Sequence, residues 1–180
     1  MKNELTDKEP NEFFEICKHL SPWPISIKPS KLSPNKLVVT CFLQKGDKIL
    51  ALRRARKDAQ YQLWGIPGGK LESHESPLKG LKREIYEETG AILSESDFIF
   101  LGAALSKTST DGEYGLHLYH AEFPDNAALP LINKNEHSSY QWVTLDSFRN
   151  LPLLHAQKEA FQLVENKLLN IIKIRGLCVH

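Results

Sequence analysis

Residues 69–91 read Gly69-Lys70-Leu71-Glu72-Ser73-His74-Glu75-Ser76-Pro77-Leu78-Lys79-Gly80-Leu81-Lys82-Arg83-Glu84-Ile85-Tyr86-Glu87-Glu88-Thr89-Gly90-Ala91, and the fold turns on them. Ser76 is a good N-cap residue, and Pro77 suits the first helical position, where its missing N–H is not needed. Gly90 suits the left-handed position past the last turn. Leu78, Leu81 and Ile85 recur at i, i+3 and i+7, one face of a helix. The spacing predicts a helix over 76–90 with that stripe turned to a core. Glu84, Glu87 and Glu88 stand at i, i+3 and i+4, so their carboxylates share one sector beside the stripe.

Stability alone does not favour this placement. Like charges four residues apart repel by a few tenths of a kcal/mol on an exposed helix. The macrodipole also disfavours anions in the last turns, by roughly 0.3–1 kcal/mol each. A hard divalent cation reverses the balance, because magnesium takes oxygen ligands and shares them with phosphate. Taken alone, the triplet reads as a solvated acidic face relieved by an Arg83–Glu87 pair, and its surroundings give it weight.

Outward from the helix, Leu63-Trp64-Gly65-Ile66-Pro67-Gly68-Gly69 is a short apolar piece ending in a glycine-rich bend. Leu37–Leu43 and Ile49–Leu52, separated by Lys45-Gly46-Asp47, read as two strands joined by a turn. Further strands are expected at Phe98–Ala104, Leu116–Phe123 and Tyr140–Val143. An amphipathic helix is expected from about His155 to Ile174, with Phe161, Val164, Leu168 and Ile171 inward. Residues 1–34 read as an N-terminal extension, a short helix over Glu12–Leu20 followed by a stretch broken by Pro22, Pro24, Pro29 and Pro34. The main domain is expected over 35–175, with a tail at 176–180. Strands and helices mix without a regular βαβ rhythm, which points to an α/β (α+β) class.

The 180 residues are 41% hydrophobic and 25% charged, ordinary for a globular chain. The net charge of +1 makes no electrostatic case for long nucleic acid. Cys17, Cys41 and Cys178 are odd in number and lack C-x-x-C spacing, which argues against a disulfide framework and for a reducing, cytoplasmic setting. The first residues lack the apolar run of a signal peptide, and no stretch approaches the ~20 apolar residues of a membrane span.

The pattern Gly69-x5-Glu75-x7-Arg83-Glu84-Ile85-x-Glu87-Glu88-x-Gly90 resembles the Nudix box, G-x5-E-x7-R-E-U-x-E-E-x-G-U. Every fixed polar or glycine position is present. The one departure is Ala91, where the family has a bulky aliphatic packing residue. Lys48–Arg54, Trp64–Lys70 and the block Glu136-His137 with Trp142–Asp146 are similar to family segments around the box, so the likeness covers roughly residues 36 to 155. It implies an α/β/α sandwich on a mixed sheet, with the box as loop–helix–loop. It also implies hydrolysis of a nucleoside diphosphate linked to another group, by attack of water at phosphorus.

The resemblance further implies roles for individual residues. Glu87 and Glu88 would hold Mg²⁺ or Mn²⁺, and Glu84 would hold metal or serve as base. Arg83 would orient a box glutamate, with Glu75 as its ion-pair partner. The carbonyl of Gly68 or Gly69 would add a ligand where no side chain obstructs it, Gly69 being the one favoured, and Glu136 is the candidate for a further ligand or base. Arg53, Arg54 and Lys70 are candidates for phosphate contact. His117 and His120 give H-x-x-H in a strand, where period two sends them to opposite faces and argues against a shared zinc site.

The lead-in Trp64–Lys70 looks most like the triphosphate-hydrolysing, MutT-like branch. A (d)NTP, oxidised ones included, cut to NMP and pyrophosphate is therefore the expected reaction, with an NDP-sugar or other NDP-X as the enzymatic alternative. A non-catalytic nucleotide-sensing module on the same fold would carry a degraded box, which this chain does not. RNA binding through the N-terminal segment lacks the basic and aromatic pattern it needs. The expected partner is a small nucleotide, with no membrane and no long nucleic acid; the resemblance allows a homodimer.

Overall fold

A computed structural model describes residues 37–55, 60–108, 112–124, 130–154 and 156–176. The N-terminal extension, Arg56, His155 and residues 177–180 lie outside the described residues. Seven strands form one mixed sheet: β1 (Leu37–Lys45), β2 (Lys48–Arg54), β3 (Trp64–Gly65), β4 (Gly68–Lys70), β5 (Ile99–Thr108), β6 (Gly112–Glu122) and β7 (His137–Val143). Helices are α1 (Pro77–Thr89), α2 (Leu145–Arg149) and α3 (Gln157–Gly176), with a 3-10 turn at Glu95–Asp97.

β1 and β2 form a hairpin around Gly46, which takes a left-handed φ of 62°. Beyond the turn they diverge. β4 then pairs with β1 over Val38–Thr40, while β3 pairs with β2 at Leu52 and Arg53, so residues 64–70 fill the gap between them. This segment was expected as one apolar piece and is instead two very short strands, because each half finds a different partner. β6 lies parallel to β1, from Leu37 opposite Gly115 to Gln44 opposite Glu122. β5 is antiparallel to β6, and β7 to β2.

Alternation along the strands sends side chains to two cores. Val39, Cys41, Leu43, Leu50, Leu52 and Tyr119 meet Leu81 and Ile85 of α1 on one face. Phe42, Ile49, Ala51, Leu101 and Leu118 meet Phe148 of α2 and Phe161, Val164 and Leu168 of α3 on the other. The result is the expected three-layer α/β/α arrangement. Each large side chain buried there contributes roughly 1.5–3 kcal/mol. His117 and His120 do fall on opposite faces: His117 packs edge-on against Phe100, and His120 Nε2 lies 2.7 Å from Gln44 Oε1.

The expected box helix begins and ends where its caps stand. Ser76 Oγ accepts from the Lys79 N–H, and Gly90 takes φ 71° with its N–H on the Tyr86 carbonyl. Ala91 is buried in the first core. The sequence reading did not foresee α2, five residues long and too short for a periodic signature. β5 and β7 run further than expected, to Thr108 and from His137, and α3 begins at Gln157.

Candidate active site

The box folds back on itself through one arginine. Arg83 Nε and Nη2 donate to the two oxygens of Glu75 at 2.9 and 3.0 Å. Its Nη1 donates to Glu84 at 2.9 Å and to Glu87 at 3.2 Å, and Nη2 also reaches the Lys70 carbonyl at 3.2 Å. Bidentate pairing to a carboxylate fixes direction as well as charge. Arg83 holds the Glu75 carboxyl below its usual range. Gly80 makes this closure possible, because a Cβ there would lie 2.2 Å from Leu71 Cδ2 and 2.9 Å from Glu75 Oε2.

The three helix acids differ in surroundings. Glu87 is the outer one, its side chain half exposed. Glu84 lies against the backbone of Gly69, where a Cβ would come within 2.4 Å of the Glu84 carboxyl carbon. Burial pushes the Glu84 carboxyl up to about 7; Arg83 opposes the rise, and the charges of Glu88 and Glu87 add to it. Glu88 is 4% exposed. Its Oε2 accepts from the Gly68 N–H at 2.7 Å, and its Oε1 lies 2.7 Å from His137 Nε2. Burial raises its carboxyl, the contact with His137 works against that, and Glu136 adds to it.

A turn over residues 131–137, distant in sequence, completes the cluster. The N–H groups of Leu131 and Asn133 donate to the carbonyls of Thr89 and Glu88, covering the end of α1 whose own carbonyls lack helical partners. Asn133 then receives the N–H groups of Glu136 and His137 on its carbonyl, while its Nδ2 donates to Glu136 Oε1 at 3.0 Å. The Glu136 carbonyl accepts from the Ala55 N–H at 2.7 Å. One ligand atom each from Glu88, Glu136 and His137 lie within 4.8 Å of one another.

The NUDIX domain model matches residues 34–164. The chain belongs to the Nudix family. The CTP pyrophosphohydrolase of Escherichia coli K12 is 28% identical over 119 residues, 66% of this chain and 83% of that protein. A nucleoside triphosphate pyrophosphatase/Nudix hydrolase fusion protein of Bifidobacterium longum is 33% identical over 111 residues; the match spans 61% of this chain but only 22% of that protein. Among solved structures, a MutT Nudix hydrolase from Burkholderia pseudomallei aligns with a TM-score of 0.62 at 25% identity, covering 72% of this chain and 97% of that one. The chain is thus a Nudix hydrolase, an enzyme that cuts phosphoanhydride bonds in nucleotides.

The Nudix residues form two linked groups. Glu75, Arg83, Glu84 and Glu87 share one ion-pair network, and Glu88 and Glu136 meet through the 131–137 turn. Gly68 and Gly69 touch the second and first group respectively. The donor set of carboxylates with a nearby backbone carbonyl suits a hard divalent cation. Half-buried Glu84 and buried Glu88 would gain most from its charge. Arg53 is engaged elsewhere, its Nε on the Gln62 carbonyl and its guanidinium 5.7 Å from the Trp64 ring. Arg54 stands opposite His137 in the β2–β7 ladder, and the Lys70 side chain is exposed at the end of β4. Asn133 was not singled out in the sequence, and His137 entered only as the neighbour of Glu136 in the downstream block.

Proposed function

We propose that this enzyme hydrolyses nucleoside or deoxynucleoside triphosphates, oxidised ones included, to the monophosphate and pyrophosphate with Mg²⁺ or Mn²⁺. The observation that carries the reading is the convergence of Glu88 and Glu136 from distant segments, beside Glu84 packed on Gly69. Glu87, Glu88, Glu136 and the Gly69 carbonyl would hold the cation. A bound divalent ion neutralises phosphate charge and polarises the phosphorus.

The side chains around it position and move a proton. Glu84, packed on Gly69 and held by Arg83, takes the proton of the attacking water. The water oxygen bonds to the α- or the β-phosphorus, the P–O bond from that phosphorus to the bridging oxygen breaks, and its electrons leave on the pyrophosphate or on the monophosphate, respectively. Glu75 steadies Arg83, which keeps Glu84 aimed at the reaction. Lys70 meets the phosphate chain, with Arg54 as a further contact on the β2 side. The lead-in over Trp64–Lys70 and the CTP-hydrolysing relative support a triphosphate over an NDP-sugar.

The test is pyrophosphate or phosphate release across NTPs, dNTPs, oxidised dNTPs, NDP-sugars, ADP-ribose and dinucleoside polyphosphates, with each metal. Turnover confined to triphosphates, reduced about a hundredfold or more in Glu87→Gln and Glu88→Gln, is the expected result. Turnover of NDP-sugars instead would move the substrate class. No turnover by folded, metal-binding protein would favour the sensing module.

A further inference from the structure

Glu88 is the most buried acid of the cluster, and each of its oxygens meets a separate group. The Gly68 N–H on β4 takes Oε2, and His137 Nε2, at the start of β7, faces Oε1, both at 2.7 Å. A carboxylate turns easily about its last torsion, which has broad minima. With Gly68 alone it would retain that freedom, whereas contacts from two different strands fix its plane. An ionised carboxylate only accepts, so Nε2 carries the proton of this bond. Each oxygen keeps a second lone pair, with Glu136 within 4.8 Å. The histidine's main chain is itself fixed, because its backbone N–H donates to the Asn133 carbonyl at 2.8 Å and β7 holds it opposite Arg54. Its Nδ1 is buried without a hydrogen-bond partner among the described residues, which leaves Glu88 as the ring's polar contact.

We propose that His137 is a positioning residue: it fixes the Glu88 carboxylate through the oxygen that Gly68 leaves free, so that Glu88 and Glu136 present oxygens to one shared divalent cation. The inference rests on the reading of Glu88 as a metal ligand. An imidazole suits the task because it donates from a rigid ring without requiring the fixed charge of a lysine, which would compete with the cation. Partners that orient a metal ligand typically change metal affinity 10- to 100-fold when removed.

The experiment is Mn²⁺ titration of the full chain followed by EPR, with thermal unfolding of every variant alongside. His137→Leu is expected to bind Mn²⁺ about 10- to 100-fold more weakly. His137→Gln, whose amide N–H reaches the Nε2 position, is expected to stay within about threefold of the parent, and His137→Asn, whose amide falls short, to resemble His137→Leu. Pulsed EPR of the Mn²⁺-loaded parent is expected to lack strong imidazole nitrogen coupling. Unchanged affinity in His137→Leu, with binding lost in Glu88→Gln, overturns the positioning role and leaves the metal site standing. Strong nitrogen coupling that vanishes in His137→Leu overturns it too, by making His137 a ligand. Should His137→Leu fail to fold, equal weakening in the Gln and Asn variants overturns it. Parent-like affinity in Glu88→Gln removes the metal-site reading itself.

Discussion

At Gly69 the space a side chain would take is already filled by the Glu84 carboxylate, 2.4 Å from where a Cβ would stand. The backbone there is not left-handed, so alanine strains no torsion; it displaces Glu84. Gly69→Ala is expected to cut turnover at least about tenfold while the fold survives, and steady-state kinetics beside a circular dichroism melt would check it. Glu84 invites a second substitution. Its folded carboxyl is raised to about 7 from 4.5, so the folded chain holds this proton more tightly than the unfolded chain does. In the metal-free protein the contribution of Glu84 to stability is therefore lost as pH rises from about 4.5 to 7, on the order of 2 kcal/mol once its partial exposure is allowed for. Glu84→Gln should melt higher than the parent at pH 8 without metal, yet turn over substrate far more slowly. A lower melting point would sink this account. The box spacing made Glu84, Glu88 and the Arg83–Glu75 pair readable from the sequence. Gly80 and His137 were not, since their meaning lies in Leu71, Glu75 and Glu88 reached through space.

The end of α1 and the 131–137 turn act together. The helix contributes uncovered carbonyls at Glu88 and Thr89, and the turn contributes N–H groups and Glu136. Asn133 joins them, so Asn133→Ala removes the bond to Glu136 and the support its Oδ1 gives to the Asn135 N–H. The expected outcome is about 1 kcal/mol less stability in urea unfolding and about tenfold weaker Mn²⁺ binding by titration. Undiminished Mn²⁺ affinity would mean Glu136 is held without Asn133. Ser76, Pro77 and Gly90 marked the ends of α1 in the sequence because caps are local chemistry. The same reading could not separate β3 from β4, since two or three residues carry no alternation and their partners sit on strands distant in sequence.

Across the molecule, both faces of the sheet are covered, and a titratable ring is sealed inside. Burial lowers the His117 ring to about 4 from 6.5. The unfolded chain therefore binds this proton between those values and the folded chain does not. The contribution of His117 to stability rises with pH from about 4 to 6.5, by on the order of 3 kcal/mol, and opposes that of Glu84 where the two windows overlap. Urea unfolding at pH 4.5, 5.5 and 7 should show the parent gaining stability relative to His117→Gln as pH rises; a constant difference between the two would show that His117 does not titrate on unfolding. The layered fold was legible in outline from the strand and helix patterns, but its mixed sheet came from the family resemblance. Nothing in the residues of β1 announces a parallel neighbour in β6.

That parallel neighbour also orders events at the ribosome. The β1–β2 hairpin and α1 emerge early, yet β1 must wait for β6 to pair along its length. Pairings so distant in sequence are slow to form and leave apolar surface uncovered meanwhile. Glu136 and β7 emerge later still. A nascent chain stopped just short of them already carries the whole glutamate helix, but β2 still lacks its β7 partner and Glu88 its contact with His137.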